Sequence, residues 1–209
     1  MIIINTKNYR FGNSLLNLAK QIKKFLPNVL IAVPPTEIFH IKNTRLKVYA
    51  QHLDYFNTDK ATGFIIAQAI KSAGASGTLL NHSEHKISIK KLAETIKACK
   101  KLNLEIIVCA ANLNEVKKII KLKPDAIAFE DPKLISTGKS ITKYNSKELR
   151  RFIEIIKNKK IIPICGAGIS TSEDVKGAYA LGCKGVLIAS AIANSKNPVP
   201  LLKQLKSLK

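Results

Sequence analysis

The chain has no run of about eighteen or more apolar residues, so nothing in it reads as a membrane-spanning helix. Its opening, MIIINTKNYR, reaches Asn5 and Lys7 after only a few apolar residues. It lacks the basic leader and long apolar stretch of a secretory signal, and a cytoplasmic location is the default expectation. Cysteine is scarce: Cys99, Cys109, Cys165 and Cys183 contain no Cys-x-x-Cys pair, and Cys109 and Cys165 end apolar runs. Reduced core thiols are favoured over a disulfide or a metal site. No Pro/Ser/Gly-rich linker divides the 209 residues, and a single domain over 1–209 is expected.

Acidic residues are few. Fourteen Asp and Glu face 35 Lys and Arg, for a formal charge of +21, and only Arg10, Arg45, Arg150 and Arg151 are arginines. The lysines recur in nearly every helical segment, including KQIKKF, IKKLAETIKACKK and EVKKIIKLK, and do not gather in one. No motif that interleaves aromatic and basic residues accompanies them. A solvated lysine surface is favoured over a nucleic-acid partner. The charge also raises encounter rates with small anions.

What is present is aliphatic. Hydrophobic residues make up 46% of the chain and aromatics 6%. The runs IIIN, VLIAV, EIIVCA, KIIPICG and GVLIASAI read as strands buried on both faces, the signature of a parallel sheet. Strands are expected at Ile2–Asn5, Val29–Val33, Lys47–Ala50, Gly77–Asn81, Glu105–Cys109, Ala126–Phe129, Ile161–Cys165 and Gly185–Ala189. Amphipathic helices are expected at Ser14–Phe25, Gly63–Ser72, Ser88–Leu102, Leu113–Lys121, Ser146–Lys157, Ser172–Leu181 and Pro200–Leu208. The segment after Val33 has room for a turn of helix. Asn13 or Ser14, Ser146 and Ser172 read as N-caps, and Gly74, Asn103 and Gly182 stand near helix ends. Eight βα units fit a (β/α)₈ barrel. An open doubly wound sheet is second, because Asn5-Thr6-Lys7-Asn8 is not a glycine-rich turn.

Barrel sites lie at the C-terminal ends of the strands. Polar residues gather there: Asn5, Lys7, Gln51, His52, Asn81 to His85, Asn112, Glu130, Asp131, GAGIS and Ala189-Ser190. The small-residue turns in CGAGIST and GVLIASAI let backbone N–H groups approach an anion, and phosphate is favoured over mere tight turns. Glu130 leaves a strand beside Phe129 and Ile127. It reads equally as a general base poised by partial desolvation or as a surface acid on a loop. The loop after it, with Ser136, Thr137 and Gly138 to supply mobility or backbone donors, has the length of a lid. Alone, Lys7 reads as an ordinary strand-end lysine, although in an extended chain it would share a face with Asn5. His82 is open to three readings: a metal ligand with His85 and His52, a satisfied strand-end residue, or a neutral donor to an oxyanion. No His-x-x-x-His or carboxylate spacing supports the metal.

Together these stretches resemble the triosephosphate isomerase family, and closely its short archaeal form. The residues are NTK at 5–7, AQHLD at 50–54, GTLLNHSE at 77–84, FEDPKLISTGKS at 129–140, CGAGISTSEDV at 165–175 and GVLIAS at 185–190. The resemblance covers nearly the whole chain. It implies a (β/α)8 TIM barrel and an aldose–ketose isomerisation of triose phosphates that needs no metal or organic cofactor. It implies Glu130 as the base, His82 as the neutral electrophile and proton shuttle, and Lys7 as the cation, oriented by Asn5. Backbone N–H groups at Ile135–Ser136, Gly168 and Ala189–Ser190 would hold the phosphate, and loop 131–139 would close over it. Glu84 would pair with Lys7 in the resting site.

The chain departs from the family at Asp131, where a proline is usual, which implies a looser hinge. Ser136 stands for a glycine, and Ala189-Ser190 for the Gly-Gly of most non-archaeal members. The resemblance also implies self-association through the loop near 52–63. A homotetramer is expected, with a homodimer as the alternative, and Ile87 and Ile89 are available for an added interface. Two other classes stand beside it: another phosphosugar barrel enzyme sharing only the last two loops, and a basic nucleic-acid-binding barrel.

Overall fold

The computed structural model describes residues 1–55, 60–135 and 137–208. Eight parallel strands close into a barrel in sequence order. They are β1 (Ile2–Asn5), β2 (Leu30–Val33), β3 (Lys47–Ala50), β4 (Gly77–Leu80), β5 (Glu105–Ala110), β6 (Ala126–Phe129), β7 (Ile162–Cys165) and β8 (Gly185–Ile188). Ile4 pairs with Ile31 of β2 on one side and with Ile188 of β8 on the other, which closes the ring. Several ends shift by one residue from the sequence expectation. β4 stops at Leu80 because Asn81 has φ +60°, a left-handed conformation that cannot extend a strand.

Strand side chains alternate, and here both faces are apolar. Ile3, Ala32, Tyr49, Leu79, Ile107, Ala128, Ile164 and Leu187 belong to one buried cluster, the barrel interior. Ile2, Ile4, Ile31, Val48, Leu80, Val108 and Ile188 belong to the second, shared with the surrounding helices. Two residues past an inward position is again inward. The rim positions that follow Ile3, Tyr49, Ala128, Ile164 and Leu187 are Asn5, Gln51, Glu130, Gly166 and Ala189. At the opposite end, the Tyr49 hydroxyl donates to Glu105 Oε2 at 2.5 Å. Gly77 makes room for the Tyr49 ring, which an added Cβ would approach to 2.7 Å. Burial, then Glu105, push the Tyr49 hydroxyl far above its ordinary pKa, so it remains a donor.

The helices follow the amphipathic segments, with differences that trace to caps. The first runs Gly12–Phe25 with Phe11, not Asn13 or Ser14, at its N-cap. The Gly12 N–H donates to Glu37 Oε2 at 2.9 Å, so a residue distant in sequence supplies the acceptor. The segment after Val33 holds more than one turn, in the consecutive pieces Pro35–Glu37, Ile38–Ile41 and Lys42–Thr44. The next helix is Ala67–Ala73, and Gly63, at φ +85°, lies outside it. Ser146 opens its helix as the first helical residue, with Asn145 at the N-cap. Thr171 replaces Ser172 as cap and forms a reciprocal capping box with Asp174. Gly74, Asn103 and Gly182 do take left-handed conformations just past helix ends, at φ +104°, +52° and +101°. The helix Ser146–Ile156 buries Leu149, Phe152 and Ile156, each worth about 1.5–3 kcal/mol. The Phe152 ring stacks on Phe129 at 5.2 Å and so anchors the end of β6 from outside. Among the described residues no helix is long and apolar enough to cross a membrane.

Candidate active site

Asn5 ends β1 and is buried. Its Oδ1 accepts the Lys7 N–H at 3.0 Å and the Gln51 side-chain amide at 3.1 Å. Gln51 also donates to Thr6 Oγ1 at 3.2 Å and to Lys7 O at 3.1 Å, so one amide fixes the whole turn. Lys7 is not extended, as a shared face with Asn5 would require; its φ is +43°. The turned backbone sends its Nζ across the mouth to Glu84 Oε1 at 2.5 Å.

His82 stands two residues past β4 and is 7% exposed. Its Nδ1 accepts the Glu84 N–H at 3.2 Å, while the Glu84 carboxylate is farther, at 3.6 Å. An acceptor at Nδ1 carries no proton, which places the ring proton on Nε2. Asn81 pins the turn from both sides. Its amide donates to Cys109 O at 2.9 Å, and its Oδ1 accepts the Ile87 N–H at 3.2 Å.

Glu130 is 3% exposed, so it is no surface acid. Its Oε2 lies 3.6 Å from His82 Nε2 and has no hydrogen-bond partner among the described residues, an arrangement that costs free energy in a resting protein. Gly166 gives the carboxylate its place: a Cβ there would sit 2.4 Å from Glu130 Oε1. Cys109 lies against it from below. Burial, then the charge of Glu130 and a hydrogen bond to it, push this thiol well above its usual pKa. All four cysteines are free and buried. Asp131, where a looser hinge is expected, is held at both oxygens, by the Lys133 N–H at 3.0 Å and the Asn145 amide at 2.9 Å.

A cleft of about 450 Å³, partly open to solvent, joins these groups. Lys7, His82, Glu130, Ile135, Gly168, Ala189 and Ser190 all line it. Asn5 and Glu84 line the adjoining cleft, which shares Lys7 and His82. The Ile135 N–H is directed to Pro132 O at 3.4 Å, and Ser136 lies outside the described residues. Gly168 has φ +70° and packs so closely that a Cβ would meet Lys139 O at 2.0 Å. Ser190 opens the one-turn helix Ser190–Ala193, which has no side-chain cap. The helix start at Ser172, in contrast, is not free for an anion. Asp174 Oδ2 already accepts the N–H groups of Ser170 and Thr171, both at 3.0 Å. Burial alone would raise the Asp174 pKa. These N–H groups, with the Thr171 and Ser140 hydroxyls, outweigh burial and hold it below the ordinary value.

His85 stacks on His52, ring centroids 3.8 Å apart, and His52 pairs with Asp54 at 3.5 Å. Among the described residues no three His, Cys, Asp or Glu side chains converge as metal ligands. Sequence reasoning gave no role to Gln51 or Gly166. The signal for both was there, as the inward alternation continued one step past Tyr49 and Ile164. Chemically, a carboxylate with one unpartnered oxygen among the described residues can take a proton, an imidazole Nε2–H can donate one, and an ammonium and backbone N–H groups can hold anions.

The family model described as triosephosphate isomerase matches residues 1–205. The triosephosphate isomerase of Methanocaldococcus jannaschii is 40% identical, over 98% of each chain. That of Saccharolobus solfataricus is 39% identical, over 95% of this chain and 91% of its own. That of Methanobrevibacter smithii is 36% identical, over 99% and 97%. The crystal structure of triosephosphate isomerase from Bartonella henselae superposes with a TM-score of 0.75, over all of this chain and 98% of that one. Its sequence identity is 19%, so that likeness speaks for the barrel alone. On the extent of the family match and the identity of these relatives, the chain belongs to the triosephosphate isomerase family.

Proposed function

We propose that the protein interconverts D-glyceraldehyde 3-phosphate and dihydroxyacetone phosphate through an enediolate. One observation carries this most: Glu130 Oε2, buried and without a hydrogen-bond partner among the described residues, faces His82 Nε2 at 3.6 Å in a cleft that Lys7 also lines. A proton beside a carbonyl is weakly acidic, so a base alone is insufficient. The enediolate needs a cation and hydrogen bonds in a site that excludes water.

In this reading Glu130 removes the proton from the carbon next to the carbonyl. His82 donates from Nε2 to the carbonyl oxygen and carries the proton between the two enediolate oxygens. The N–H of Glu84 on its Nδ1 keeps the ring in the required tautomer. Lys7 holds negative charge on the enediolate and phosphate, Asn5 and Gln51 fix its turn, and Glu84 keeps its ammonium in place until substrate arrives. N–H groups at Ile135–Ser136, Gly168 and Ala189–Ser190 take the phosphate, and loop 131–139 closes over it.

Residues 1–209 act as one domain, in the cytoplasm, in a self-associated form, most simply a homotetramer. The contact is the loop near 52–63, of which 56–59 lie outside the described residues, with Ile89, 46% exposed, as added apolar surface. A coupled assay with purified protein tests the activity: isomerase turnover is expected, and none would refute it. Light scattering at micromolar concentration tests the assembly, and a monomer mass would contradict it.

A further inference from the structure

Arg10 follows Lys7 by three residues on the loop after β1, and its side chain reaches the segment after β8. Its Nε donates to Ala193 O at 2.9 Å and its Nη2 to Ser195 O at 2.6 Å. Ala193 is the last residue of the one-turn helix Ser190–Ala193. Carbonyls at such an end have no partner within the helix. Backbone N–H groups take two others, Asn194 donating to Ser190 O at 3.1 Å and Ser195 to Ile192 O at 3.3 Å. Arg10 takes the next ones. A planar guanidinium suits two acceptors held at fixed geometry, and a cation at a helix C-terminus is favoured by the backbone dipoles.

The opposite end of the same helix lines the cleft with Ala189 and Ser190. Four residues are too few to hold a helix by their own hydrogen bonds, so external contacts set where that turn stands. Ile192 and Ala193 are buried and fix its inner side. Arg10 fixes its exit, from the loop that also carries Lys7. We propose that Arg10 is a positioning residue for the phosphate end of the substrate. It holds the Ala189–Ser190 turn in register with Lys7 and does not itself touch the substrate, since its Nε and Nη2 are turned to Ala193 and Ser195 and it lines neither cleft. The proposal rests on the isomerase reading above.

The test compares Arg10→Ala, Arg10→Gln and Arg10→Lys with the wild type. Readouts are kcat and KM for glyceraldehyde 3-phosphate, kcat/KM for phosphate-free D-glyceraldehyde, and the Kd of 2-phosphoglycolate. Arg10→Ala is expected to lose about 10- to 100-fold in kcat/KM on the phosphorylated substrate, mostly through KM. The analogue should weaken in parallel, and turnover of D-glyceraldehyde should stay within about twofold, as a role confined to the phosphate turn requires. Arg10→Lys, which keeps the charge without the fork, should recover part of the loss and Arg10→Gln less. An equal loss on both substrates would reduce Arg10 to a general brace and overturn the proposal, as would an unchanged KM. If Arg10→Ala does not fold, the Lys and Gln variants carry the same comparison. A wild type without turnover overturns the isomerase reading instead. An active wild type with indifferent Arg10 variants overturns this proposal alone.

Discussion

Glu130 Oε2 faces His82 Nε2 at 3.6 Å and has no hydrogen-bond partner among the described residues. The two atoms come from the end of β6 and from the turn after β4, strands that are not neighbours in the barrel. Closure of the ring, not local sequence, sets the distance between them. An acceptor left open at the bottom of a cleft is a defect by the rules of folding, and an asset if a proton is to be taken there.

Gly166 is the nearest control on that carboxylate. Its φ is not in the left-handed region, so the backbone accepts alanine, but the new Cβ would sit 2.4 Å from Glu130 Oε1 and 2.8 Å from Glu130 Cγ. The carboxylate must move. Gly166→Ala is expected to fold and to melt near the wild type, yet to lose about 100-fold in kcat with a small change in KM. Steady-state kinetics beside a thermal melt checks this, and an unchanged kcat would mean that the carboxylate tolerates displacement.

The Lys7–Glu84 pair is asymmetric: the lysine side chain is 11% exposed and the glutamate 55%. An exposed partner adds little stability, and Glu84→Gln should leave the melting temperature almost unchanged. Its effect should be kinetic. Without its resting partner Lys7 is less fixed, and kcat/KM should fall about 3- to 10-fold. Lys7→Ala, which removes the cation itself, should lose about 100-fold or more. Stopped assays on the two variants check the order; a Glu84 variant more impaired than Lys7→Ala would reverse it.

Asp174 gives a pH signature. Its pKa is lower in the fold than in the unfolded chain, because its hydrogen bonds to Ser170, Thr171 and Ser140 outweigh burial. Its contribution is therefore complete above the unfolded pKa and is lost as pH falls through the folded one. Asp174→Asn should cost about 1–2 kcal/mol at neutral pH. Urea melts should show that difference constant above about pH 5 and shrinking below about pH 4. A difference that grows in acid would contradict the sign.

The strands were legible because Ile-rich runs bounded by polar residues have one physical use in a chain of this length, a parallel sheet covered on both sides. The rim residues were legible as a set because strand alternation continues past the last apolar residue, as from Ile3 to Asn5 and from Ala128 to Glu130. Contacts between distant segments were not. Glu37 capping Gly12, Asp131 held by Asn145 and Arg10 gripping Ala193 join residues with no local pattern between them. The Lys7 backbone conformation has no local signal for the same reason. Its left-handed turn is imposed by Asn5 and Gln51, the second of which arrives from another strand. The roles of Lys7 and His82 came from the family resemblance, since each residue alone was open to duller readings.

Turnover of glyceraldehyde 3-phosphate by Glu130→Gln is the most direct test of Glu130 as the base. The glutamine keeps the shape of the side chain and cannot accept the proton. The expected result is a loss of about 10⁴-fold in kcat, while 2-phosphoglycolate binds within a few-fold of the wild type. A variant that turns over within tenfold of the wild type would contradict it.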